Sequence, residues 1–296
     1  MRTTFILLLL ALSYLTRAQK APQLSFDLYP GYQSEDFRWS IAGDMQGANP
    51  NIYSELRWKR LAGPVLGAGG DWNFWKTLHI HSTYSRMFIT SGSVTDMDYQ
   101  GDDRTNRSYY GAFDAGKGKS LSWRTTLEDD VLKNDLFTLT VLLGYTLHKQ
   151  SLFLLSSDRT GSAAGLRSTY DTRYEGMVAG IRGKAPVGKK LFLEGSFLYE
   201  PVSYVGRADW NLITTFQHPL SFMDKANGFN FEGSLRCSYY WQRRWALYLA
   251  GEILHSETNH GTDWLYLQNG QNATTRYNGA VRNYIRAGLG VRLILF

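Results

Sequence analysis

FNFEGSLRCSYYW, residues 229–241, places Phe229, Phe231, Gly233, Leu235, Cys237, Tyr239 and Trp241 on odd positions and Asn230, Glu232, Ser234, Arg236, Ser238 and Tyr240 on even ones. Side chains alternate across a strand with a period of two, so the stretch predicts a β-strand with one apolar and one polar face. Only Gln242-Arg243-Arg244 separates it from a second alternating run, Trp245 to Leu254. Near the end of the chain, Val281, Ile285, Ala287, Leu289, Val291, Leu293 and Leu295 alternate with a face that carries Arg282, Arg286 and Arg292. Aliphatics on one face and three arginines on the other suit a wall between lipid and a polar lumen, the pattern of an outer-membrane β-barrel.

Working outward, further strands are expected at Leu24 to Leu28 continuing through Phe37 to Ile41, Ile52 to Trp58, Trp75 to Phe88 and Leu121 to Leu127. Phe137 to Phe153, Tyr170 to Ile181 and Leu191 to Tyr204 complete the set. The total is about ten strands in an all-β transmembrane antiparallel barrel, closed because a bilayer tolerates no unpaired edge. Long polar connections are expected at 91–120, 155–168, 205–228 and 256–278, on the outer side, with short ones at 67–71, 134–135, 184–190 and 242–244. No repeat or composition break divides the chain. The first residues carry Arg2, an apolar run from Phe5 to Leu12 and a small residue at Ala18, which reads as a secretory signal over 1–18. Residues 19–296 then form the barrel.

The lone Cys237 lies in an alternating strand and reads as a small apolar residue, and no internal disulfide can form with one cysteine. The formal net charge of +6 in an exported chain points to anionic lipid or polysaccharide and away from nucleic acid. A mean hydropathy of −0.32 fits a secreted soluble enzyme as well as a barrel, so the alternation decides between them.

Against the basic total, SGSVTDMDYQGDDR at residues 91–104 gathers Asp96, Asp98, Asp102 and Asp103. Three readings stand. A solvated charged loop needs no chemistry. A calcium loop starting at Asp96 fails at its twelfth position, Arg107, where a bidentate glutamate belongs. The third is hydrolysis: one residue apart on an extended segment, Asp96 and Asp98 point to the same side, roughly 6–7 Å apart at Cα. Such a pair can hold and polarise a water if a proton acceptor faces it. His79 and His81 share one face of the third strand without a third ligand at a convincing spacing, so no metal site is expected.

Gly92-Ser93-Val94-Thr95-Asp96-Met97-Asp98-Tyr99 resembles the Gly-x-x-x-Asp-x-Asp-aromatic signature of the omptins, ten-stranded outer-membrane proteases that cleave peptides at basic residues. SELRWK at 54–59, Trp72, Gly144-Tyr145 and Tyr170 to Tyr174 are similar as well, and the likeness runs over nearly all of the mature chain. The resemblance implies that Asp96 and Asp98 hold the nucleophilic water and that Asp209 orients a base. It puts Asn211 where the family has its histidine, and Asn has no titratable nitrogen. His218, in the same connection, could take that place if the loop folds back. Glu35 would select basic side chains, and Tyr145, Lys149 and Arg173 would hold lipid phosphates on the outer wall. No cofactor is implied, with lipopolysaccharide as the one component that activity could require. The expected partners are outer-membrane lipid, lipopolysaccharide and a peptide or protein substrate, for a monomer in the outer membrane. A lapsed protease acting as a lipopolysaccharide-binding or adhesive barrel, and a small porin, are the alternatives.

Overall fold

The computed structural model describes residues 23–156 and 164–295. The expected signal segment and Phe296 lie outside the described residues. Thirteen strand segments are present: β1 (Gln23–Ile41), β2 (Ser54–Trp75), β3 (Leu78–Ile89), β4 (Ser91–Gly101), β5 (Thr105–Asp114), β6 (Gly118–Lys133), β7 (Thr138–Leu155), β8 (Arg167–Pro186), β9 (Leu191–Asp209), β10 (Phe222–Tyr240), β11 (Trp245–Thr258), β12 (Gly261–Tyr266) and β13 (Asn272–Ile294). The pairs β3 with β4, β5 with β6 and β11 with β12 each continue one stave, so the wall has ten. Every pairing is antiparallel, and β1 closes the barrel by bonding to both β2 and β13.

The alternation reads out as expected. On β13, Arg282, Tyr284, Arg286 and Arg292 face the lumen, while Ile285 and Leu289 are exposed on the wall. On β10 the polar face with Asn230, Glu232 and Ser238 turns inward and Cys237 turns outward. Exposed Leu28, Leu66, Leu143, Phe197, Leu247 and Ile285 belong to an apolar belt around the barrel. The staves are longer than that belt: β1 has 19 residues and β2 has 22, where about 9–11 tilted residues cross a bilayer. Four short turns lie at one rim and the longer connections at the other, so the surplus length rises above the belt on the outer side.

Three expectations about connections change. Residues 67–71 are not a turn but the middle of β2, which reverses at Lys76-Thr77, where Trp75 pairs with Leu78. Gly67, which looks like turn composition, leaves room for the Tyr29 ring lying over it. The stretch 91–120 is largely the β4–β5 hairpin, and 256–278 is largely β11, β12 and β13. The connection at 42–53, which alternation did not mark as long, joins the outer rim. Above the belt both faces of a strand can be polar, so apolar alternation fades there although the hydrogen-bonded ladder continues.

Inside, the lumen is layered. Asp27 with Arg292 (2.8 and 2.9 Å) and Glu128 with Arg182 (2.6 and 3.1 Å) lie toward the short-turn rim. There His79 stands 3.3 Å from both Asp71 and Asp130, and His81 faces the lumen beside Asp71. Arg124 bridges Glu200 and Glu232 in the middle (2.7 and 2.6 Å), and a cavity of about 110 Å³ remains beside it. Glu35 and Arg282 follow, and above them Phe37, Trp39, Trp58, Tyr170, Tyr204, Tyr277 and Phe222 fill the barrel with contacting rings.

Candidate functional site at the outer mouth

β4 lines the mouth above the aromatic layer. Val94 faces in, and Asp96 and Asp98 share its face, with Asp96 between Leu56 of β2 and Gly111 of β5, and Asp98 between Ser54 and Tyr109. Burial and the neighbouring Asp98 charge push the Asp96 carboxyl up to about 7. Burial also raises Asp98, against a hydrogen bond from Ser54. Tyr109 is raised by burial and by both aspartates, which places its ring beside them. Two carboxyls that cannot both ionise easily share a proton and can hold a water.

The tip of the hairpin is a 3-10 turn at Asp102–Arg104, with Asp103 and Arg104 at positive φ. Asp102 and Asp103 do more than solvate it: Asp102 accepts from the Asn51 amide (2.8 Å) and Asp103 exchanges two bonds with Asn51 (2.8 and 2.9 Å), tying the hairpin to the 42–53 connection. Arg104 grips Glu55 with two nitrogens (3.0 and 2.9 Å), and Arg57 adds a third bond of 2.6 Å. Burial works against the Glu55 charge, but these guanidiniums hold the carboxyl below its usual range. Sequence reading did not find this clamp, whose partners lie 49 residues apart.

Across the mouth, β9 presents Val202, Tyr204, Gly206, Ala208 and Trp210 inward. An added Cβ at Gly206 would collide with the Tyr170 hydroxyl, so this position stays bare to seat that ring. Asp209 has the opposite parity, shared with exposed Arg207. His218 does fold back, its Nδ1 lying 2.6 Å from Asp209 Oδ1, so an Asp–His couple forms on the rim. Asn211 holds the loop backbone instead: it accepts from the Arg167 amide (2.9 Å) and from Ser168 Oγ (3.2 Å), and donates to the Gly165 carbonyl (2.9 Å). The structure brings His218 to Asp209, whose place on β9 has the parity opposite to that of Gly206 and Ala208.

Glu35 is buried and already occupied by Arg282 (2.7 Å), Gln33 (2.9 Å), Gln150 (3.0 Å) and Ser120 (3.3 Å). Tyr145, Lys149 and Arg173 do face outward at the top of the belt, where Tyr145 donates to Glu175 (2.8 Å) and Arg173 pairs with the same carboxylate. Among the described residues no cluster of three or more His, Cys, Asp or Glu side chains is placed to hold a metal.

The family described as Protochlamydia outer membrane protein matches residues 27–285. The chain belongs to that family. This Protochlamydia outer membrane protein family member therefore sits in the outer membrane. Among curated proteins none matches it. Its structure is similar to the outer membrane protease OmpT from Escherichia coli at a TM-score of 0.75 and 14% identity, over 95% of this chain and 99% of that one. It also matches the translocator domain of the autotransporter NalP from Neisseria meningitidis at a TM-score of 0.39 and 13% identity, over 98% of this chain and 94% of that one. The first likeness shows an omptin-like fold; chemistry has to be argued from the site.

Proposed function

We propose that this family member is a closed surface barrel that binds at its outer face and has no omptin-type catalytic constellation. One observation carries the reading: the lumen-facing residues at the outer end of β9 are Gly206, Ala208 and Trp210, so that wall offers Asp96 and Asp98 no proton acceptor. A base must come within hydrogen-bond reach, or one water, of the proton it takes. The Asp209–His218 couple stands on the other parity, and a one-residue difference in register sends a side chain to the opposite face of a strand. The filled aromatic layer argues equally against a water-filled pore.

Two measurements on the folded protein in lipopolysaccharide-containing detergent or bilayers test this. No cleavage of a dibasic peptide between pH 5 and 9, and no unitary conductance in planar bilayers, are expected. Cleavage abolished by both Asp96→Asn and His218→Ala would restore the omptin mechanism. Cleavage lost with Asp96→Asn but indifferent to His218→Ala would place hydrolysis on the aspartate pair alone. Stable open-channel currents would make the protein a porin.

A further inference from the structure

Between the aromatic layer and the short-turn rim, the lumen leaves two opposite charges open. Glu194 of β9 and Arg236 of β10 are direct cross-strand partners facing inward, so their Cα atoms stand about 5 Å apart. Among the described residues they make no ion pair with each other, and each has its nearest counter-charge engaged elsewhere. The Arg236 guanidinium reaches Asp27 only at 3.8 Å, and Asp27 already takes two bonds from Arg292 (2.8 and 2.9 Å). Glu194 reaches Arg182 only at 3.8 Å, and Arg182 already grips Glu128 with two nitrogens (2.6 and 3.1 Å). Lys184, across the ladder from Glu194, lies over the Phe192 and Tyr240 rings (5.2 and 5.9 Å). The Tyr248 ring steadies Arg236 at 4.4 Å, while its own hydroxyl is buried without a hydrogen-bond partner, seated over Gly290 where an added Cβ would strike it.

Glu194, Arg236 and Tyr248 all line the cavity beside Arg124. Its volume of about 110 Å³ has room for on the order of eight waters, or for one solute of about as many non-hydrogen atoms. The room exists because Ala250 and Gly288 follow Arg236 around the wall in register, where larger lumenal side chains would fill it. Unpaired charges of both signs facing one small space carry a desolvation cost that a ligand bearing both counter-charges offsets. We propose that this cavity binds one small zwitterion of the α-amino acid class, with its carboxylate on Arg236 and the Tyr248 hydroxyl and its ammonium on Glu194. Guanidinium and hydroxyl both donate to a carboxylate, and a carboxylate accepts from an ammonium. The aromatic layer closes the cavity from the outer mouth, so the ligand enters from the short-turn side. This assignment does not depend on what the mouth binds.

The test is equilibrium dialysis of the full folded protein in detergent micelles against radiolabelled L-alanine, with acetate and methylammonium as competitors that each carry one of its charges. One alanine per barrel is expected at millimolar concentration or below, displaced by neither competitor at equal concentration. Arg236→Gln and Glu194→Gln should each weaken binding about tenfold or more, the loss of one charge-assisted hydrogen bond. Both side chains make only long contacts within the barrel, so these variants should retain the heat-modifiable gel mobility of a folded barrel. Ala250→Leu should abolish binding by filling the cavity while leaving both charges in place. No bound alanine would mean that the cavity holds water alone and would overturn the site. Unchanged binding in either charge variant or in Ala250→Leu would overturn it too, as would equal displacement by acetate or methylammonium.

Discussion

Arg282→Met is expected to destabilise the barrel by about 3–5 kcal/mol, the cost of leaving a buried charge without its partner. Arg282 and Glu35 are each almost fully buried, and the guanidinium reaches Glu35 Oε2 with both Nε (3.2 Å) and Nη2 (2.7 Å). The carboxylate also accepts from Gln33, Gln150 and Ser120, but these neutral donors do not cancel its charge. The aromatic layer above blocks water from replacing the cation. Urea unfolding in detergent micelles, followed by tryptophan fluorescence, should show the midpoint falling sharply in Arg282→Met and recovering in large part in the Glu35→Gln, Arg282→Met double variant. A single variant with the unmodified midpoint would mean that water reaches Glu35. The same pair explains why Glu35 is a poor receptor for a cationic substrate side chain: its site is already filled from within the barrel.

Stability of the outer mouth should fall as pH rises, by roughly 3 kcal/mol at 1.36 kcal/mol per unit of pKa shift. Asp224 of β10 and Asp263 of β12 are direct cross-strand partners, both buried, above the belt. Tyr170 donates to Asp224 (2.6 Å) and joins Tyr204 (2.8 Å), which accepts from Tyr277 (3.1 Å); Thr275 donates to Asp263 (3.1 Å). Among the described residues no cation pairs with either carboxyl: Lys225 lies over the Trp264 ring on the outer side, and Arg276 bonds Asn278, Gln46 and Gly47. Burial and the facing Asp263 charge push Asp224 well up, while burial lifts Asp263 to about 6 against hydrogen bonds from Asp224 and Thr275. The folded state therefore holds protons that the unfolded chain releases near pH 4. This contribution is fully present below that pH and is lost as pH climbs through about 6. Hydrogen exchange in β12 should be slower at pH 5 than at pH 8 after correction for intrinsic rates, and Asp263→Asn should remove most of the difference. A pH-independent wild type would show that a cation or water balances the pair.

How much of this was readable depends on which side of the apolar belt a residue occupies. Within the belt one face meets hydrocarbon and the other a polar lumen, so residues 229–241 and 281–295 declare both strand and orientation. Above it, β4, β5 and β12 lose that contrast and read as loops, although their backbones pair like the rest. β2 misleads for a further reason. Between Trp58 and Leu61 it carries one residue more than β1 carries between Phe37 and Glu35, and Arg60 adopts positive φ with its amide on Asp36 (2.7 Å). That bulge exchanges the inward and outward sets, so Leu56 and Trp58 face in on even numbers while Leu61 and Val65 do so on odd ones.

The sequence by itself determined an outer-membrane barrel of ten staves, its lumenal arginines and the aspartate pair, because each follows from a period of two or from residues adjacent in the chain. Tertiary structure decided what those aspartates face. Counting along the chain leads to Asp209 and Asn211, but the pleat of β9 directs Ala208 and Trp210 into the mouth, and only the folded loop brings His218 to Asp209. Which face a residue occupies at the end of a strand depends on the register of its neighbours, and that information lies in other strands.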